Sequence, residues 1–161
     1  MNQPTRKHIR LSNYDYSSSG AYFITICAKD KQHLFSKMIM TETGAPQLVL
    51  TALGTIAEDQ LLKLNERYPH VSVASYVIMP DHIHMVLHLQ SRMDDMSPRA
   101  DLKAVLCAYK SLTTRMIKKQ RPHMKTVFQT SYFEHIIRNQ QDYEEKIQYI
   151  RNNPVKWYYE R

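Results

Sequence analysis

Between His82 and Leu89 every second residue is apolar: Ile83, Met85, Leu87 and Leu89 share one side, and His82, His84 and His88 share the other. A period of two is that of a strand. Residues 71–79, rich in β-branched and apolar side chains, read as a second strand, and Pro80-Asp81 between them is a turn signal. Residues 21–28 are a strand by composition, preceded by the turn Ser17-Ser-Ser-Gly20. Residues 34–40 and 47–50 flank Thr43-Gly-Ala-Pro46 and predict a hairpin. Leu53, Ile56, Ala57, Leu61 and Leu64 recur at helical spacing, and Pro69 closes that helix. Leu102, Val105, Leu106, Tyr109, Leu112 and Met116 form a second helical stripe ending before Pro122. Ahead of it, Ser97-Pro98 reads as an N-cap with proline at the first helical position. Residues 127–137 read as extended. A last helix is predicted over about 139–152, stopped by Pro154.

Strand, helix, strand, strand, helix, strand, with an inserted hairpin and a closing helix, is the order of an α+β domain. It predicts a ferredoxin-like, split βαβ fold: an antiparallel sheet with helices on one face. With 161 residues, no repeat and no linker, the expectation is one domain over 1–161. Lys and Arg outnumber Asp and Glu 22 to 15, a net charge of +7 that favours a polyanionic partner, nucleic acid first. Cys27 and Cys107 lie in apolar runs and read as reduced core residues. No apolar stretch approaches the roughly 20 residues that span a bilayer. The first ten residues are polar and basic, unlike a signal peptide. The expectation is a cytoplasmic protein without a membrane partner.

The candidate chemistry starts with His82 and His84, which leave the same strand face roughly 7 Å apart along the chain. Two imidazoles on a rigid element can hold a divalent cation and leave other positions open. They can equally be polar residues on the outer face of a strand, and His88 continues that face without needing a metal. On the last helix Tyr143, Ile147 and Ile150 form a core-facing stripe. Tyr149 falls off it, and Asn153, one turn later, projects from the same side, about 5–6 Å away at Cβ. A carboxamide oxygen suits Mg²⁺ or Mn²⁺, and a phenol beside a phosphate can act as a covalent nucleophile. A packing aromatic and a helix cap before Pro154 would use the same two residues. Among eleven tyrosines, helix geometry alone selects none. Arg115, Lys118, Lys119, Arg121 and Lys125 would track a DNA backbone or simply solvate a helix end. Tyr14 and Tyr16 could stack on unpaired bases or pack on the sheet.

Four stretches occur together: Tyr14-Asp-Tyr16 with Gly20-Ala-Tyr-Phe23, Tyr76-Val-Ile-Met-Pro-Asp-His-Ile-His84, Phe128-Gln129 with Glu134-His-Ile-Ile-Arg138, and Tyr149-Ile-Arg-Asn-Asn-Pro-Val-Lys156. In this order they resemble the single-tyrosine HUH transposases, and among them the REP-associated tyrosine transposases of bacteria. The resemblance spans nearly the whole chain. It implies that His82 and His84 bind a divalent metal, Mg²⁺ or Mn²⁺, with Asn153 as third ligand and Tyr149 as nucleophile. It further implies cleavage and rejoining of single-stranded DNA at hairpin-bearing ends through a 5′-phosphotyrosine. Asp81 stands where many relatives have Asn, and it adds a carboxylate near the metal. The chain ends at Arg161, which predicts little extension for further DNA contacts or a swapped dimer arm. Monomer and homodimer both remain open.

Two other readings compete. A histidine-triad nucleotide hydrolase needs a third histidine two residues after His84, where this chain has Val86. A ferredoxin-like nucleic-acid-binding module without catalysis would bind DNA without metal and form no covalent adduct.

Overall fold

The computed structural model describes residues 20–90 and 100–160. Tyr14, Tyr16, the turn at 17–19 and Ser97-Pro98 lie outside the described residues. The elements are β1 (Gly20–Cys27), the hairpin β2 (Ser36–Met40) and β3 (Pro46–Leu50), α1 (Ala52–Leu62), α2 (Leu64–Arg67), β4 (Val71–Ile78), β5 (His82–Leu89), α3 (Leu102–Gln120), β6 (Phe133–Ile137) and α4 (Gln140–Tyr159).

The main sheet has the order β4-β5-β1-β6, and every neighbouring pair is antiparallel. The parallel strands β1 and β4 are therefore separated by β5, and β5 and β6 by β1. This is the split βαβ arrangement expected, with α1 and α3 as the two crossovers. The register sets Thr25 of β1 opposite His84 and Cys27 opposite His82. Side chains then alternate. Tyr22, Ile24 and Ile26 join Ile83, Met85, Leu87 and Leu89 in one core, covered by Leu53, Ala57 and Leu61 of α1 and Val105, Leu106 and Tyr109 of α3. The opposite face carries a much smaller apolar cluster of Phe23, Val86 and Ile150, flanked by Val77, Ile137, Tyr143 and Ile147. That cluster seats α4 against the sheet. The helices on one face are α1 and α3, while the closing helix lies on the other, over the histidines.

Local chemistry explains the boundaries. The Thr51 side chain caps α1 by accepting from the Gly54 N–H at 3.1 Å, and its hydroxyl donates to the Leu34 carbonyl at 2.6 Å. Gly54 is required for a different reason: a Cβ there would sit 1.8 Å from the Phe35 carbonyl oxygen. In the β2–β3 hairpin Gly44 takes φ 81°, the left-handed conformation that glycine adopts without strain.

Some boundaries differ from expectation. Helix α3 begins at Leu102, capped by Asp101 accepting from the Ala104 N–H at 2.8 Å. Its buried stripe runs through Thr113 and Ile117, because a 3.6-residue period carries Met116 to the exposed side. Cys27 is buried as expected, but Cys107 is exposed on α3. The extended stretch narrows to β6, with Phe128 only bridging Ala28. The largest difference is at Pro154, which lies inside α4 rather than ending it. Proline there forfeits one backbone hydrogen bond, costing about 3 kcal/mol in an isolated helix. Burial of Ile150 and Asn153 and the contacts of Trp157 lie on either side of it and offset that cost.

Candidate active site

The site forms where the histidine face of β5 meets α4. The rings of His82 and His84 are 4.5 Å apart between centroids, and the Tyr149 ring lies 5.3 Å from His84. Phe23 forms the floor, stacked on His84 at 5.2 Å and edge-on to Tyr149 at 5.8 Å. Trp157 closes the other end, 5.7 Å from His82 and 5.6 Å from His33. His84 is only 5 % exposed, so this face is covered and not the open polar surface that its histidines suggest. Tyr149 is 41 % exposed and accessible to a large substrate. Beside it opens a cavity of about 500 Å³, lined by Phe23, Thr25, His84, Phe133, Glu145, Lys146 and Tyr149.

Both imidazoles are held by their Nδ1 atoms. His82 Nδ1 bonds the Asp81 carboxylate at 2.5 Å, and His84 Nδ1 lies 2.8 Å from the Thr25 hydroxyl. A carboxylate only accepts, so His82 carries its proton on Nδ1. Neither Nε2 has a hydrogen-bond partner among the described residues, so each could serve as a metal ligand. Burial, then the charges of His82 and Lys31, pull the His84 pKa well below the usual histidine value. The ring stays neutral, the form that ligates. Among the described residues no group of three His, Cys, Asp or Glu is placed to hold a metal. Asn153, one turn beyond Tyr149 and 6 % exposed, offers a neutral oxygen of the right hardness. Its burial inside α4 also excludes the role of helix cap.

Lys156 Nζ stands 5.6 Å from the centroid of the Tyr149 ring, within cation–π range. Lys146 lines the cavity and donates to Asp142 Oδ1 at 3.0 Å, while Asp142 Oδ2 bonds His135 Nε2 of β6 at 2.7 Å. This chain ties α4 to the edge strand. His88 takes no part in the site and bonds the Tyr143 hydroxyl at 3.1 Å. Tyr143 is thus engaged in packing.

The basic residues do not join this site. They belong to α3 and the segment after it, and α3 packs on the opposite face of the sheet. Arg115, Lys118 and Lys125 line a cavity of about 510 Å³ together with Thr114, Phe128 and Gln129. Arg121 and Lys125 line another of about 600 Å³ with Lys29 and His123. Lys119 is exposed and lines neither. Sequence pattern alone does not single out Thr25, Phe23, Trp157 or Lys31, whose places depend on strand register or on the continuation of α4.

Known proteins resemble this chain over most of its length. A family model described as "Transposase IS200 like" matches residues 16–153. An uncharacterized protein of Haemophilus influenzae is 31 % identical, over 94 % of this chain and 89 % of its own. A REP-associated tyrosine transposase of Escherichia coli K12 is 28 % identical, over 88 % of this chain and 70 % of its own. The solved structure of a REP-associated tyrosine transposase bound to a REP hairpin shares the fold, with a TM-score of 0.61 at 23 % identity, covering 91 % of this chain and 74 % of that one. The histidine pair and the tyrosine opposite it thus sit in a chain that belongs to the IS200-like transposases, enzymes that cut DNA and transfer its strands.

Proposed function

We propose that this transposase cleaves and rejoins single-stranded DNA through covalent attachment to Tyr149, as one HUH nuclease domain over 1–161 acting in the cytoplasm. The observation that carries the reading is the convergence of His82, His84 and Tyr149 from β5 and α4, with ring separations of 4.5 and 5.3 Å. The IS200-like family generally uses a divalent metal. His82, His84 and Asn153 would hold it here, as Mg²⁺ or Mn²⁺, and when bound it supplies Lewis-acid polarisation of the scissile phosphate. Asp81 and Thr25 fix the two imidazoles with Nε2 free. Tyr149 Oη attacks phosphorus, the bond to the 3′ oxygen breaks, and that oxygen leaves as a 3′-OH after taking a proton. The phenol proton passes to solvent, and the downstream strand stays on the enzyme as a 5′-phosphotyrosine. Attack by another 3′-OH reverses the exchange, so rejoining needs no external energy source. The exposed position of Tyr149 suits a nucleophile that must meet a long strand.

The cations Arg115, Lys118, Lys119, Arg121 and Lys125 would neutralise phosphates of the DNA around the α3 layer. A relative solved with a REP hairpin supports hairpin-bearing ends as the substrate. The test is incubation of the protein with a panel of DNA hairpins carrying unpaired flanks, with Mg²⁺, followed by a denaturing gel. A covalent complex that disappears in Tyr149→Phe is expected, with the linked peptide mapping to Tyr149. Metal-independent binding without any adduct would favour a plain DNA-binding module. A linked peptide carrying another tyrosine would reassign the nucleophile.

A further inference from the structure

The histidine face of the sheet continues on β1 through Phe23, Thr25 and Cys27, and Cys27 pairs with His82 across the ladder. Directly after Cys27 the chain makes a tight turn over Lys29–Lys31. Within it Asp30 and Lys31 both adopt φ 56°, and they are the only non-glycine residues with positive φ among the described residues. Aspartate tolerates that conformation, but a lysine there is uncommon. Strained backbone of this kind persists where the surroundings hold a side chain in a required place. Here the strain directs the Lys31 ammonium back over the histidine face, where Nζ donates to Cys27 Sγ at 3.3 Å. A thiol is a weak acceptor, and no carboxylate pairs with Lys31 among the described residues.

We propose that Lys31 binds a non-bridging oxygen of the phosphate attacked by Tyr149, exchanging its thiol partner for that oxygen when DNA enters. The inference rests on the cleavage reading above and adds a phosphate-binding residue to it. A phosphodiester under attack by a phenolate carries two negative charges, and the Lys31 ammonium would offset part of them. A preorganised cation placed where charge develops acts mainly on rate.

The test uses the full-length protein and a hairpin oligonucleotide that the wild type converts to adduct. Lys31→Gln should slow single-turnover adduct formation by about 10²-fold at saturating DNA, with an unchanged melting temperature. Lys31→Asn, which accepts positive φ and so preserves the turn, should be equally slow. Lys31→Arg should recover to within about tenfold of wild type. In metal-free buffer the wild type should bind the phosphodiester oligonucleotide more tightly than the same strand with a methylphosphonate at the scissile position, and Lys31→Gln should lose that preference. Wild-type rates in Lys31→Gln and Lys31→Asn would overturn the assignment, as would retained discrimination against the methylphosphonate. Equal impairment of the Arg and Gln variants would show a role in the turn alone and would also overturn it. A wild type that forms no adduct with any hairpin would instead refute the cleavage reading, and this inference with it.

Discussion

The two faces of one sheet are built to different ends. On the face covered by α1 and α3, the β1 and β5 residues Tyr22, Ile24, Ile26, Ile83, Met85 and Leu87 are fully buried, and the apolar layer is continuous. On the other, among the described residues, only Phe23, Val86 and Ile150 form a buried apolar cluster, and the remaining positions hold imidazoles, a threonine, a cysteine and the edge of a cavity. The first face supplies the hydrophobic stabilisation, about 25 cal/mol per Å² removed from water. The second is thin because His82, His84 and Thr25 stand where apolar side chains would extend it. A strand lets both coexist within about 3.4 Å of chain, since neighbouring residues point in opposite directions.

Adjacent residues of β5 test that division most sharply. His84→Ala and Tyr149→Phe should each abolish the DNA adduct, while circular dichroism shows a folded protein. Met85→Ala, one residue along, should cost about 2–5 kcal/mol of stability, read from urea denaturation. Any soluble Met85→Ala protein should keep a measurable adduct rate under conditions where it is folded. Unfolding of His84→Ala, or an unaffected Met85→Ala, would mean that the two faces do not divide stability from chemistry as described.

Gly54 breaks the thick face without touching the thin one. A methyl group at this position must displace the Phe35 backbone, because no flexible side-chain end lies there to yield. Gly54→Ala should lose about 1–3 kcal/mol, despite the better helix propensity of alanine. A stabilised variant would show that α1 shifts away from Phe35 at little cost.

How much of this is legible in the sequence follows from the same asymmetry. The core-facing positions of β1, β5, α1 and α3 announce themselves by period, because nearly all of them are apolar, Gln60 and Thr113 being buried polar exceptions. The pairing of His82 and His84 is equally visible. Thr25 and Asp81 as partners of the two imidazoles are not, since a cross-strand neighbour depends on register and a hydrogen bond on rotamer. The end of α4 departs from its sequence signal for a related reason. Pro154 disfavours a helix locally, yet tertiary packing of Asn153 and Trp157 decides the outcome. Lys31 cannot be singled out in advance, because nothing in Lys-Asp-Lys marks two consecutive residues of positive φ.

The cations on the α3 layer sharpen the comparison on the side of binding. Lys118→Ala with Lys125→Ala should weaken DNA affinity and reduce the salt slope by about 0.7 for each phosphate no longer neutralised. The adduct rate at saturating DNA should be unchanged, since α3 does not reach the site. Lys110 is a useful control. Its ammonium is committed to the Gln129 and Thr130 carbonyls at 2.6 and 3.0 Å, so its loss should register as destabilisation of that segment. A fall in saturated adduct rate in the double variant would place the α3 cations in the chemistry after all.

The smallest expected effect concerns the polar tie that holds α4 to β6. Burial tends to raise the Asp142 pKa, but the hydrogen bonds from His135 and Lys146 outweigh it and hold the carboxyl below its ordinary value. The sign follows from proton uptake: as pH falls, the unfolded chain protonates this group first, so folding loses ground. The contribution is present above the ordinary carboxylate pKa of about 4, and disappears as pH drops through the lower folded value. Because the network lies at the surface, it is worth less than about 1 kcal/mol. Asp142→Asn should therefore be slightly less stable than wild type in urea at pH 7, and the gap should narrow as the pH is taken below the ordinary carboxylate pKa. A gap that persists in acid would mean that Asp142 acts through packing or as part of the first turn of α4, where its negative charge also suits the helix dipole. A loss of several kcal/mol at pH 7 would go further and show that the thin face depends on this tie as heavily as the thick face depends on its apolar core.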